Sequence, residues 1–120
     1  MSKVLIVDDE AEIVDFLSNF LRRFEIETEK AHNGKDALEI CKTTKLDWIF
    51  LDLKMPEMDG FEVLHELKKA ETDVKIMMIT GREDKESQAK AKKLGTNDYI
   101  VKPLDLEELH QKIETHILGK

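Results

Sequence analysis

The stretch FLDLKMPEMDG, residues 50–60, decides how the chain is read. The apolar run WIFL (48–51) ends abruptly on a carboxylate, Asp52, and Leu53, Lys54, Pro56, Asp59 and Gly60 follow. A run without polar alternation is the pattern of a strand buried on both faces, as in a parallel sheet. Aspartate is a favoured turn residue, so Asp52 has a simple reading as the start of a turn. The alternative is a carboxylate held at the end of a buried strand because chemistry happens there. The rest of the chain separates the two.

Working outward, strand-like and helix-like segments alternate with short connections. KVLIV (3–7), IETEKA (26–31), WIFLD (48–52), VKIMMIT (74–80) and DYIVK (98–102) read as strands, the second as an edge. EIVDFLSNFLRRF (12–24), GKDALEICKTT (34–44), GFEVLHELKKA (60–70), EDKESQAKAKKLG (83–95) and DLEELHQKIETHIL (105–118) read as helices. In the first helix Ile13, Phe16, Leu17, Phe20 and Phe24 form the expected core face, leaving Ala11, Val14 and Ser18 on another. The helix 83–95 has only Ala89, Ala91 and Leu94 as anchors, and Gly95 is its natural C-cap. Asp105 is the expected N-cap of the last helix, with Glu108 three residues on. Gly60 is expected where a side chain would hinder the backbone. Met77 and Met78 are expected in the core, and Met55 is a candidate for exposure beside Pro56. Five strands alternating with five helices imply an α/β domain, a parallel sheet covered on both faces.

With 120 residues the chain has one domain's worth of length, and residues 1–120 are read as a single domain. It is 41% hydrophobic and 38% charged, a soluble globular balance. A net charge of −7 argues against direct nucleic-acid binding, which needs a basic face. The single cysteine, Cys41, excludes an internal disulfide framework and fits a cytoplasmic location. No apolar stretch is long enough for a membrane span, and MSKVLIVDDE is too short in its apolar run for a signal peptide. The four histidines, His32, His65, His110 and His116, lack a shared metal-ligand spacing.

The residue after each buried strand is informative. Asp8 and Asp9 follow the first strand, Asp52 ends the third, Thr80 the fourth and Lys102 the fifth. In an open parallel sheet all these ends lie on one edge, where ligands bind. Two carboxylates about 4 Å apart repel by roughly 4 kcal/mol at an effective dielectric of about 20. Lys102 cancels one of three charges, and a hard divalent cation such as Mg²⁺ would cancel the other two. Asp52, fixed by the central strand beside such a cation, has the placement of a nucleophile that attacks phosphorus and forms an acyl phosphate.

The motifs VDDE (7–10), LDLKMPEMDGFEVL (51–64), MITG (78–81) and YIVKP (99–103) resemble those of response regulator receiver domains over the full length. The resemblance implies a flavodoxin-like five-stranded sheet in the order 2-1-3-4-5. It implies that Asp52 accepts phosphate from a histidine kinase or histidine phosphotransfer protein. It also implies that Asp9 holds Mg²⁺ directly, Asp8 largely through water, and Lys54 by its main-chain carbonyl. Thr80 and Lys102 would contact the phosphoryl oxygens, and Tyr99 would change rotamer as the threonine moves. The Lys102–Pro103 bond would be cis. Partner helices carrying the histidine dock in this family beside the first helix and the loop after the fifth strand, which gives Ala11, Val14, Pro103 and Leu104 as a docking patch. Lys54 and Arg82 stand two residues after the acceptor and the threonine, where they would shield the phosphoryl group from water and lengthen its lifetime.

Two other functions are weighed. A Mg²⁺-dependent phosphohydrolase with an aspartate nucleophile commonly has a second acid two residues on, where this chain has Lys54. A flavin-binding module of the same fold class needs a Ser/Thr/Gly-rich phosphate loop, and DDEAE (8–12) would repel the phosphate. The output stays open: a complete single-domain regulator, a relay intermediate, or part of a longer regulator or hybrid kinase acting on an output domain or downstream protein.

Overall fold

The computed structural model of the chain describes residues 2–81 and 85–119, the side chain of residue 80 excepted. The elements run β1 (Lys3–Val7), α1 (Ala11–Arg22), β2 (Glu27–Ala31), α2 (Gly34–Thr43), β3 (Trp48–Leu51), α3 (Gly60–Lys69), β4 (Lys75–Thr80), α4 (Lys85–Lys93), β5 (Asp98–Val101) and α5 (Leu106–His116). The strands pair in parallel in the order β2-β1-β3-β4-β5. Each expected element is present to within about two residues at its described ends.

Alternate residues of the central strands enter opposite cores. Leu5, Val7, Ile49, Leu51, Ile76 and Met78 pack against the α2, α3 and α4 side. Val4, Ile6, Trp48, Phe50, Met77 and Ile79 pack against α1 and α5. Both faces are therefore covered, and the strands need the continuous apolar runs seen in the sequence.

Helix ends follow local chemistry. The side chains of Asn33, Asp59 and Asp105 accept backbone N–H bonds at the starts of α2, α3 and α5. Gly95, at φ +95°, closes α4, and the Thr96 N–H returns to the Ala91 carbonyl.

Three expectations fail on packing. Helix α1 is rotated from its expected phase: Val14, Leu17, Ser18, Phe20 and Leu21 are buried, Ile13 and Phe24 only partly, and Phe16 is 40% exposed. The stripe at 14, 17, 18 and 21 is the one that fits the sheet, because Ser18 is small and its hydroxyl hydrogen-bonds Thr28 Oγ1 at 2.7 Å. Met55 is buried, folded back into the α2–α4 core. Ala89 is exposed; Ser87 and Ala91 are the buried residues of α4.

Candidate functional site

The sheet register builds the site. Val7 pairs with Leu51, so Asp8 and Asp52, the next residues, leave adjacent strands at the same height. The Asp52 N–H donates to the Val7 carbonyl at 3.0 Å and the Asp8 N–H to the Ala31 carbonyl at 3.2 Å, which fixes both backbones. Thr80 pairs with Val101, so Lys102 emerges one residue beyond that level on the outer strand. The Lys102–Pro103 bond is cis, as expected.

Carboxylate oxygens of Asp8, Asp9 and Asp52 lie within 4.8 Å of one another. Asp8 and Asp52 are buried and Asp9 is exposed. The Lys102 ammonium donates to Asp8 Oδ2 at 2.7 Å and Asp52 Oδ2 at 3.3 Å. Backbone N–H groups support the acids: Glu10 donates to Asp8 Oδ1 at 2.9 Å and Lys54 to Asp52 Oδ1 at 3.2 Å.

Burial, then the charge of Asp8, pushes the Asp52 carboxyl up to about 6, against the pull of Lys102 and the Lys54 N–H. Burial opposes the charged form of Lys102, but the hydrogen bond to Asp8 and the charges of Asp52 and Asp8 outweigh it and raise its pKa. Fully ionised, the cluster keeps two uncompensated negative charges. The donors suit a hard cation. Asp8, Asp9 and Asp52 would offer Mg²⁺ the carboxylate oxygens that such a cation takes, and the bound ion would supply the missing positive charge.

Gly60 has a steric role that the sequence foreshadowed. A Cβ there would meet the Asp52 carbonyl oxygen at 2.6 Å and the Leu53 Cα at 2.8 Å. The Gly60 N–H donates to the Leu53 carbonyl at 2.9 Å, so α3 begins in contact with the acceptor's backbone.

The remaining candidates divide. Tyr99 is half-buried against the α2–α4 core. Its carbonyl accepts a bond from Lys112 Nζ at 2.9 Å. The Lys54 side chain is exposed at the crevice rim. Arg82 lies outside the described residues, as does the Thr80 side chain. In the docking patch Ala11 and Pro103 are exposed and Leu104 is partly buried. Val14 is fully buried against the sheet and belongs to no docking surface. The sequence reading missed the network around Asp98, which accepts from Lys112 at 2.8 Å and pairs with His116 at 2.7 Å. No motif marks it, because it depends on the phase of α5 over β5.

Residues 4–114 match the family model described as the response regulator receiver domain. The chain belongs to the response regulator receiver family. Among curated relatives, the receiver is 33% identical over 112 residues to the alkaline phosphatase synthesis transcriptional regulatory protein PhoP of Bacillus subtilis, covering 93% of this chain and 47% of PhoP. It spans half or less of the length of the curated relatives it matches. A two-component response regulator from Clostridium difficile superposes with a TM-score of 0.92 at 29% identity, covering 100% of this chain and 98% of that one. The response regulator TrrA of Thermotoga maritima, solved in complex with Mg(2+)-BeF, gives 0.85 at 31% identity, covering 96% and 98%. The receiver fold expected from the motifs, order 2-1-3-4-5, is the one observed.

Proposed function

We propose that residues 1–120 form a single receiver domain whose Asp52 takes a phosphoryl group from the phosphohistidine of a histidine kinase or histidine phosphotransfer protein. The observation that carries this reading is the buried Asp52 carboxylate, held between the Asp8–Asp9 pair and Lys102 at one edge of the sheet. An Asp52 oxygen forms the new P–O bond as the P–N bond to the histidine breaks, and the imidazole leaves with that electron pair. The Lys54 N–H and the Lys102 ammonium orient the carboxylate, and burial keeps its nucleophilic oxygen poorly hydrated. Lys102 and Thr80 are assigned to the phosphoryl oxygens.

Asp8, Asp9, Asp52 and the Lys54 main-chain carbonyl would hold Mg²⁺, which when bound supplies positive charge to the transferring group. The protein catalyses its own phosphorylation and slow dephosphorylation, with no turnover of a separate substrate. Lys54 and Arg82 are assigned to shielding the phosphoryl group. Replacing a −1 carboxylate with a group near −2 draws Thr80 inward and lets Tyr99 turn, which changes the surface of α4, β5 and α5. That surface then acts on an output domain or downstream protein, in a cytoplasmic pathway without direct nucleic-acid contact by this domain. Among the described residues no helix is long and apolar enough to cross a membrane.

Acetyl phosphate with Mg²⁺ tests the reading. Intact-mass spectrometry should show one added phosphoryl group on the wild type and none on Asp52→Asn. Equal labelling of both proteins would remove Asp52 from the chemistry.

A further inference from the structure

The loop between Asp52 and α3 is anchored by side chains that lie outside the crevice. Met55 is buried in the α2–α4 core, and Met58 packs partly buried against the same core. Between them the chain reverses in a three-residue turn: the Met58 N–H donates to the Pro56 carbonyl at 2.8 Å, with Glu57 at φ 67°. A glutamate is disfavoured in that left-handed conformation, so the turn persists only because its flanks are held.

The Met58 side chain has a defined seat. It lies against Gly34, the first residue of α2: a Cβ there would meet Met58 Cγ and Sδ at 2.9 Å and Val63 Cγ2 of α3 at 2.8 Å. Glycine at 34 is what leaves room for the thioether between the starts of the two helices. The walls of the seat are fixed. Val63 is fully buried, and Asn33 caps α2 by accepting the Asp36 N–H at 2.8 Å. Methionine, unbranched and flexible, suits such an irregular gap. Lys54 stands between Asp52 and these two anchors, and its N–H reaches Asp52 Oδ1 at 3.2 Å.

We propose that Met58, seated on Gly34, is a positioning residue for the acceptor. It touches none of the reacting groups. It acts through the loop backbone, holding the Lys54 main chain so that the N–H orients the Asp52 carboxylate and the carbonyl is available to Mg²⁺. The carbonyl half of this role rests on the metal reading given above; the Lys54–Asp52 hydrogen bond does not.

Two measurements on the whole chain test it: amide NMR of the metal-free protein, and Mg²⁺ titration calorimetry without phosphodonor. Met58→Ala should shift the Lys54 amide resonance and leave that of Phe50, within β3, in place. It should also weaken Mg²⁺ binding by about tenfold, the effect of losing support behind a metal ligand. Met58→Leu keeps the apolar volume and should stay within about twofold of wild type. Gly34→Ala should displace Met58 and reproduce both changes. Added to Met58→Ala it should change Mg²⁺ affinity by less than about twofold further, because the two substitutions remove one contact. Circular dichroism confirms that each variant is folded, and the Phe50 amide serves as an internal control. A Lys54 amide indifferent to Met58→Ala would overturn the proposal. So would Phe50 shifting as much as Lys54, which makes Met58 an ordinary packing residue, or Gly34→Ala and Met58→Ala acting additively. A wild type that binds no Mg²⁺ would overturn the metal reading, whereas a Lys54 amide that still responds to Met58→Ala supports the positioning role.

Discussion

Asp52→Asn should stabilise the metal-free protein, and the gain should depend on pH in a definite way. Asp52 is 4% exposed, and burial together with Asp8 raises its pKa from 3.8 to about 6. Each tenfold change in an acid constant is worth about 1.4 kcal/mol, so the ionised carboxylate costs the native state about 3 kcal/mol. Water at the crevice mouth screens part of that, leaving about 1–2 kcal/mol to be recovered by a neutral amide. The amide oxygen can still accept from the Lys54 N–H, and Lys102 keeps its 2.7 Å bond to Asp8.

The sign follows from proton counting. Between about pH 4 and 6 the native state holds the Asp52 proton more tightly than the unfolded chain. Stability from this group is therefore lost as pH rises through that window and stays lost above about 6. The Asp52→Asn variant lacks the loss. Chemical denaturation in EDTA should show near equality at pH 4 and the variant ahead by about 1–2 kcal/mol at pH 7.5, or about 4–8 °C in Tm. A variant less stable than wild type at pH 7.5, or a difference constant with pH, would refute the claim that Asp52 is a strained, desolvated carboxylate.

Other expectations follow from the same geometry. Gly60→Ala pushes a Cβ into the Asp52 carbonyl and should cost about 2–3 kcal/mol in urea denaturation and slow phosphorylation; a neutral result would contradict the tight α3–β3 approach. Glu25 and Glu71 sit at φ 60° and 52°, so Glu25→Gly and Glu71→Gly should each raise stability by about 0.5–1 kcal/mol in thermal melts. Lys54→Asn combined with Arg82→Glu should speed dephosphorylation under saturating Mg²⁺ by about tenfold, or about 1.4 kcal/mol of barrier, if these cations shield the phosphoryl group; a slower double mutant would show that they assist water instead.

The sheet was legible because uninterrupted apolar strands admit few other architectures, and the strand ends alone placed Asp8, Asp52 and Lys102 together. Gly60 was legible as a steric requirement but not as a contact with the Asp52 backbone. The phase of α1 was misread because three phenylalanines, a leucine and an isoleucine outweighed a serine in any hydrophobic count. The sheet selected the stripe containing Ser18, whose hydroxyl finds Thr28 and whose small size allows close packing. That rotation removed Val14 from the surface and left Phe16 on it. The Asp98–Lys112–His116 network was invisible for a related reason. It joins residues 14 and 18 positions apart, and sequence alone does not give the rotation of α5.

The most direct test of the central claim is the position of the phosphoryl group. After phosphorylation with acetyl phosphate and Mg²⁺, borohydride reduction converts an acyl phosphate to the corresponding alcohol, which marks its site permanently. Tandem mass spectrometry of the tryptic peptides should place that mark on Asp52, within the peptide 46–54, and nowhere else. A mark on Asp8 or Asp9, or a mark that persists in Asp52→Asn, would contradict the assignment of Asp52 as the acceptor.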